Sequence, residues 1–286
     1  MSKRLKTLLT VIILTIVTIV TITALTIHFL TINKISNNDV DITSAGENYT
    51  IETTDKTIND YTAQECVYAC AGKLAGYSSY YAQVSGKVTA LGGIYSQNVS
   101  GEKFTNSQGS LYISKSQSAF VSVGKQIFIP SSVNDVLIRE ATDLTNDVWD
   151  TNTTNYTYDN FLLEYGTDFR QLTNYIINEN TITSANLTNK QDDKYTFTVN
   201  LDAQQATIGY RVNMKKMGNL SSLPEFYSCT LELTMDSNFN PITLVCKDEY
   251  KVNMLGGLKC SSTITTTFTN INQQIEIPDI NFFLNI

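Results

Sequence analysis

The 286-residue sequence contains one histidine, His28, and one tryptophan, Trp149. The histidine lies inside a long apolar run, so the rest of the chain has none to offer. That excludes Ser–His and Cys–His nucleophile pairs outside the run, and HExxH and other histidine metal sites with them. No P-loop and no GxGxxG occurs. Ser-x-x-Lys occurs as SGEK (100–103) and SVGK (122–125). A penicillin-type acyl enzyme needs that motif on a helix with a partner K-T-G. Both copies fall in strand-like sequence, and K-T-G is absent. Positive charge is also scarce, with 20 Lys and Arg against 27 Asp and Glu, a net charge of -7. Three of the positive residues, Lys3, Arg4 and Lys6, precede the apolar run, so the chain beyond the run is more acidic than the whole. A nucleic-acid partner, which needs a basic footprint, is excluded, and an anionic membrane surface is a poor match. Proline is sparse, while Asn, Ile, Thr and Ser abound. This suits a β-rich extracytoplasmic domain, and equally an AT-rich genome.

The apolar run spans residues 7–32 and contains no charged residue. At ~1.5 Å per residue, about 20 residues cross the hydrocarbon core. The run exceeds a signal-peptide core and no A-x-A-like site follows it. A lipobox is absent, since the first cysteine is Cys66. The basic residues before the run predict a cytoplasmic N-terminus. The expected organisation is a cytoplasmic tail 1–6, a transmembrane signal anchor 7–32, a polar tether 33–59 and an extracytoplasmic domain 60–286. A cleaved signal peptide is the alternative. Thr10, Thr15, Thr18, Thr21, Thr23 and Thr26 are tolerable in lipid because each hydroxyl can bond a carbonyl one turn back.

Beyond the tether the pattern predicts a helix over 61–80, weakened by Gly72 and Gly76. A block of strands follows, with a hairpin turn at Gly124–Lys125. Residues 143–160, around Trp149, read as a loop. Two short helices are predicted over 160–166 and 167–177, the first ended by Gly166. Strands resume where Tyr195, Phe197, Val199 and Leu201 alternate. A helix over 202–217 follows, with Asp202 as N-cap, Gln205 in the capping-box position and Gly218 as its stop. Ala203, Ala206, Tyr210, Met214 and Met217 form its apolar stripe, and Arg211, Lys215 and Lys216 fall away from it.

Residues 228–250, SCTLELTMDSNFNPITLVCKDEY, read as a hairpin. With Asp236 to Phe239 as a four-residue loop, Leu233 faces Ile242, Leu231 faces Leu244 and Cys229 faces Cys246. Tyr227, Cys229, Leu231 and Leu233 then share one face, because side chains two apart point the same way. The fold class is α+β: an N-terminal transmembrane helix, then one curved antiparallel sheet, an unclosed half-barrel, covered by a few helices. The 202–217 helix is the expected cover, with the last three strands curling around it.

The helix AQQATIGYRVNMKKMG, the pair TLELTMDSNFNPITLVCKDEYKV and the closing TTTFTNINQQIEIP resemble the half-barrel of the LolA and LppX/LprG-like lipoprotein-carrier superfamily, over roughly residues 60–278. The chain is also similar to cell-envelope proteins of low-GC Gram-positive bacteria. The resemblance implies an apolar cavity between sheet and helices that holds a lipid or lipopeptide. A permanent anchor departs from the carriers, because it prevents shuttling between membranes; membrane-local binding or sensing fits better. The expected cavity lining is Phe197, Val199, Tyr210, Met214, Met217, Tyr227, Leu231, Leu233, Leu244, Ile264 and Phe268. The function expected is non-catalytic binding of a lipid or other apolar ligand, without cofactor or metal. The alternative is a structural or protein-interaction ectodomain with a filled core and envelope proteins as partners. A carboxylate-based hydrolase is a third class.

Five cysteines lie beyond the anchor. An oxidising compartment would allow a cross-strand Cys229–Cys246 disulfide; the other reading makes all five small buried hydrophobes. Cys66 and Cys70 sit at i and i+4, a spacing that helix geometry rarely bridges. The carboxylate pairs Asp192–Asp193 and Asp248–Glu249 read as solvated loop or edge charges, although a glycosidase would need two facing carboxylates. DSNFN (236–240) resembles the start of a calcium loop but lacks the glycine and distal glutamate of an EF-hand, so a plain turn is expected. The sequons at 48–50 and 186–188 matter only in a eukaryotic secretory pathway.

Overall fold

The computed structural model describes residues 46–51, 53, 57–118, 122–132, 134–253 and 257–284. The expected tail 1–6, the anchor 7–32 and residues 33–45 of the tether lie outside these residues. Among the described residues no helix is long and apolar enough to cross a membrane.

In chain order the elements are α1 (Ala63–Lys73), β1 (Tyr80–Ala90), β2 (Tyr95–Asn106), β3 (Gly109–Gln117), β4 (Ser122–Pro130), β5 (Asp135–Asp143), β6 (Val148–Trp149), β7 (Thr154–Thr157) and α2 (Tyr158–Tyr165). They continue with β8 (Ile182–Gln191), β9 (Lys194–Leu201), α3 (Ile208–Gly218), β10 (Glu225–Asp236), β11 (Pro241–Val252), β12 (Leu258–Thr269) and α4 (Ile280–Leu284). The strands form one curved, unclosed antiparallel sheet in the order β6-β5-β4-β3-β2-β1-β12-β11-β10-β9-β8, with β7 also on β5. Two meanders meet where β1 pairs β12, Tyr81 opposite Thr269 and Ala90 opposite Cys260. The α+β half-barrel expected from the pattern is therefore present in outline.

The inner face carries most of the core. Tyr195, Phe197 and Val199 of β9, Leu231, Leu233 and Met235 of β10 and Leu244 of β11 are buried against Val67 and Cys70 of α1. Thr62 caps α1: its hydroxyl accepts the Glu65 amide, and the Glu65 carboxylate accepts the Thr62 amide at 2.7 Å. Capping donors that would otherwise go unpaired fixes where the helix starts. Farther along the sheet, Ile127, Ile129, Val136 and Ile138 face Phe161 and Tyr165 of α2. The outer face of β3 to β5 is covered as well, since Leu111, Ile113 and Phe128 pack on Ile277 and Phe283 of the C-terminal segment. There the Arg139 guanidinium bonds Asp279 at 2.7 Å and lies 4.2 Å over the Phe282 ring.

Several expectations are corrected. Helix α1 stops at Lys73; a 3-10 turn follows, and Tyr80 opens a strand rather than ending the helix. Gly124 and Lys125 make no turn: they lie inside β4, opposite Lys115 and Ser114. The glycine lets β4 pack closely there, since a Cβ would stand 2.7 Å from Leu144 Cδ2 and 3.1 Å from the Ala141 Cβ. The loop expected around Trp149 contains β6 and β7. The second short helix is absent. Residues 167–181 are bends and turns whose Phe169, Leu172, Tyr175 and Ile177 plug the interior. Helix α3 starts at Ile208, not at Asp202. Asp202 instead closes a turn by accepting the amides of Gln204 and Gln205, each at 2.9 Å. The left-handed stop is Asn219, one residue past Gly218. Residues 46–51, expected within the tether, lie against the domain: Asn48 accepts the Ile177 amide at 2.6 Å and Tyr49 sets its ring edge-on to Tyr68.

The β10–β11 hairpin keeps its expected faces but not its register. Leu233 faces Leu244, Leu231 faces Cys246 and Cys229 faces Asp248. This shift of two preserves which side each residue takes. The DSNFN segment is a plain turn, with Asp236 accepting the Asn238 and Asn240 amides at 2.9 Å. A second irregularity between Phe226 and Ser228 reverses the alternation at the far end. Phe226 turns in and Tyr227 turns out.

Candidate polar site on the inner face

Alternation along β2 brings Gly101 and Lys103 to the helix-facing side, with Lys103 paired to Ala82 of β1 and Tyr112 of β3. On β11 the same rule brings Leu244, Cys246 and Asp248 inward. Asp248 lies between Cys229 of β10 and Ser262 of β12. The plug 167–181 crosses above them and supplies Asp168, Thr173 and Tyr175, all buried. Its path is fixed by the Ile176 amide donating to the Ala206 carbonyl at 2.9 Å.

Two carboxylates organise this cluster. Asp248, 2% exposed, accepts the Tyr175 hydroxyl at 2.6 Å on both oxygens and the Ser262 hydroxyl at 2.9 Å. Burial pushes its pKa above the ordinary carboxylate value, against the pull of these donors. Asp168 accepts the Tyr158 hydroxyl at 2.6 Å and holds Arg170 through Nε, Nη2 and the backbone amide. The sequence reading of Asp248 as a solvated edge charge is thus corrected. Asp192 and Asp193 are exposed in the β8–β9 turn, as expected.

Lys103 stands apart. It is 7% exposed and has neither a hydrogen bond nor an ion pair among the described residues. Its Nζ lies 5.8 Å over the Tyr112 ring. Burial lowers its pKa to about 8, opposed by the field of Asp168. Burial likewise pushes the Cys246 thiol up to about 12 and raises that of Cys229. Both are protonated and poorly nucleophilic at neutral pH. All five cysteines are free. The Cys229–Cys246 disulfide is therefore not formed, and the register displaces the two residues from each other. Among the described residues no group of three or more His, Cys, Asp or Glu could hold a metal ion.

The expected cavity residues do not all converge. Phe197, Val199, Leu231, Leu233, Leu244 and Phe268 belong to one buried cluster, which Tyr210 joins. Met214 packs instead with Phe226, Tyr250 and Val252. Met217 packs with the α2 cluster. Ile264 is half-buried on the inner face, its Cδ1 filling the space that a Cβ on Gly86 would need. Tyr227 is 49% exposed on the other side and borders a half-open cleft of about 300 Å³ with Thr89, Glu249 and Lys259. That cleft lies at the strand ends, away from the other expected lining residues.

Sequence reasoning missed Lys103, Asp168 and Tyr175. No sequence signal marked the first, since alternation with the aromatic Phe104 beside it sends Lys103 to the solvated side. The same spacing puts Ser100 and Lys103 on opposite faces of a strand, so the SGEK motif makes no Ser–Lys pair. The other two depended on the path of an irregular segment.

No protein-family model matches the chain, and no curated protein matches it. Among solved structures the chain is similar to the crystal structure of a DUF1329 family protein from Desulfovibrio piger ATCC 29098. That similarity has 7% sequence identity and a TM-score of 0.30, over 77% of this chain and 95% of that one. A likeness that slight carries no argument about fold or function.

Proposed function

We propose that the chain is a non-catalytic binding protein of the cell envelope, held at the membrane by residues 7–32. It takes a lipid or other apolar ligand between the inner face of its half-barrel and the covering segments. The observation that carries this reading is the inner face itself: an unclosed sheet lined by Phe197, Val199, Leu231 and Leu244, on which Lys103, 7% exposed, makes no hydrogen bond or ion pair among the described residues. Lysine is almost never this buried without a partner, which marks Lys103 as a candidate ligand contact. The LolA and LppX/LprG-like resemblance of the sequence agrees with the reading. Catalysis by the buried carboxylates fits poorly, since Asp248 and Asp168 already accept several donors each.

A second reading, an interaction ectodomain with a filled core, is favoured by the packing of six expected cavity residues into one buried cluster. Native mass spectrometry of the full chain, released from a mild non-ionic detergent, separates the two. A co-purifying lipid adduct is expected. Its repeated absence, with no uptake of added amphiphile, would leave the filled-core reading. Protease added to intact protoplasts should leave only a short membrane fragment; protection of the large domain overturns the proposed location.

A further inference from the structure

We infer that Lys103 is the anchor for a single anionic group, a carboxylate or phosphate monoester, carried by an amphiphile whose tail lies on the inner face. This rests on the binding function proposed for the half-barrel. Both nearby buried carboxylates are committed elsewhere. Asp168 is held by Arg170, with Nε at 3.0 Å from each oxygen and Nη2 at 2.6 Å, and by the Tyr158 hydroxyl. Asp248 is held by Tyr175 and Ser262. Neither forms an ion pair with Lys103. A compact ammonium on a four-carbon stem is a point charge suited to carboxylate or phosphate, and the side chain that carries it is 7% exposed.

The immediate surroundings suit one small anion with an apolar continuation. Lys103 is flanked across the strands by Ala82, fully buried, and by the Tyr112 ring, which stacks on Phe169 at 5.6 Å. Phe268 lies opposite Ala82 on β12. The side chains around Nζ are thus aromatic and aliphatic, the surroundings that the first carbons of an apolar tail would need. A neutral ligand of the same length would leave the ammonium uncompensated. Such an inner face discriminates by charge at one point and by apolarity elsewhere, the usual division of labour in ligand pockets.

The probes are oleate, monooleoylglycerol with the same chain and a neutral head, and acetate and inorganic phosphate as heads without a chain. Binding is read by native mass spectrometry of the full chain released from a non-ionic detergent. Oleate should bind at least about tenfold more tightly than monooleoylglycerol, and Lys103→Gln should remove that preference. Lys103→Arg, which keeps the charge, should restore part of it. In the unaltered protein oleate should protect Lys103 from acylation by acetic anhydride, read by peptide mass, so the test survives a variant that fails to fold. Equal binding of oleate and monooleoylglycerol, unchanged in Lys103→Gln, overturns the anchor and leaves the binding reading standing. Failure of both amphiphiles to bind removes the binding reading itself. Acetate or phosphate binding as tightly as oleate, and lost in Lys103→Gln, overturns the amphiphile in favour of a free anion. Absence of oleate protection at Lys103 overturns the anchor whatever the variants do.

Discussion

Replacing Phe226 and Tyr227 by alanine, one at a time, tests the β10 irregularity directly. Unbroken alternation from Leu233 back through Leu231 and Cys229 would put Tyr227 inside and Phe226 outside. The structure does the reverse. Phe226 is 1% exposed, stacked on Tyr250 with ring centroids 5.0 Å apart and tilted on Tyr210 at 5.7 Å. Truncating a sealed phenylalanine costs about 3–5 kcal/mol. For a domain of this size about 2–4 °C of Tm accompanies each kcal/mol, so Phe226→Ala should lower Tm by roughly 6–20 °C. Tyr227 is half exposed and its hydroxyl donates to the exposed Glu225, at 3.2 Å. Tyr227→Ala should stay within about ±0.5 kcal/mol. Urea titration of the full chain in mild detergent gives both numbers, provided the slope m is unchanged between variants. Equal losses, or a larger loss at Tyr227, would refute the bulge and restore the simple alternation.

Gly209→Ala should destabilise by at least about 1–3 kcal/mol, because its Cβ would stand 2.1 Å from the Gly166 carbonyl oxygen where α3 crosses the end of α2. Gly76→Ala, with nothing within 4 Å of its Cβ, is the control for the same melts and should be near neutral. Thiol titration of the denatured, non-reduced protein should find five thiols, and fewer would contradict the free cysteines of the structure. Asp248 gives a pH signature. Its folded pKa is raised, so above about 3.9, the unfolded value, the folded state holds the proton that the unfolded state has lost. Its contribution to stability therefore falls as pH rises from there through the folded pKa, and Asp248→Asn should flatten that part of the stability–pH curve. An identical slope in the variant would show that Asp248 is not the group responsible.

The faces of the sheet were legible in the sequence, while the residues that set local geometry were not. Alternation placed Cys229, Leu231 and Leu233 correctly because parity survives a shift of two. For the same reason it could not reveal that Leu233, rather than Leu231, faces Leu244. The bulge at Phe226 carries no glycine or proline to announce it. Gly124 was misread because a glycine packed closely inside a strand, beside Leu144, looks in sequence like one required by a turn. The plug 167–181 has apolar spacing that a helix could use, yet its hydrogen bonds go to Ala206 and Asp248. The candidate site suffered most. Lys103 and Asp248 are charged residues in strands, and sequence alone assigns such residues to water; only the segment folded across them makes them interior.

The seam between β1 and β12 has a consequence for how the chain is made. Strands β1 to β5 are sequential neighbours and can zip together soon after synthesis, but the free edge of β1 must wait for β12, the last strand to be produced. Until then it is an unpaired edge, the kind of surface that recruits other chains. Its composition answers that hazard. Around the seam β1 offers Ser85, Gly86 and Lys87, and the arriving strand is largely threonine and serine, from Ser261 to Thr267. On β1 the charge of Lys87 and the small Ser85 and Gly86 keep the waiting edge from being sticky, while threonine keeps the strand propensity of β12 high. A hydrophobic seam would close more tightly in the finished protein but would leave the half-made one prone to pairing with its own kind.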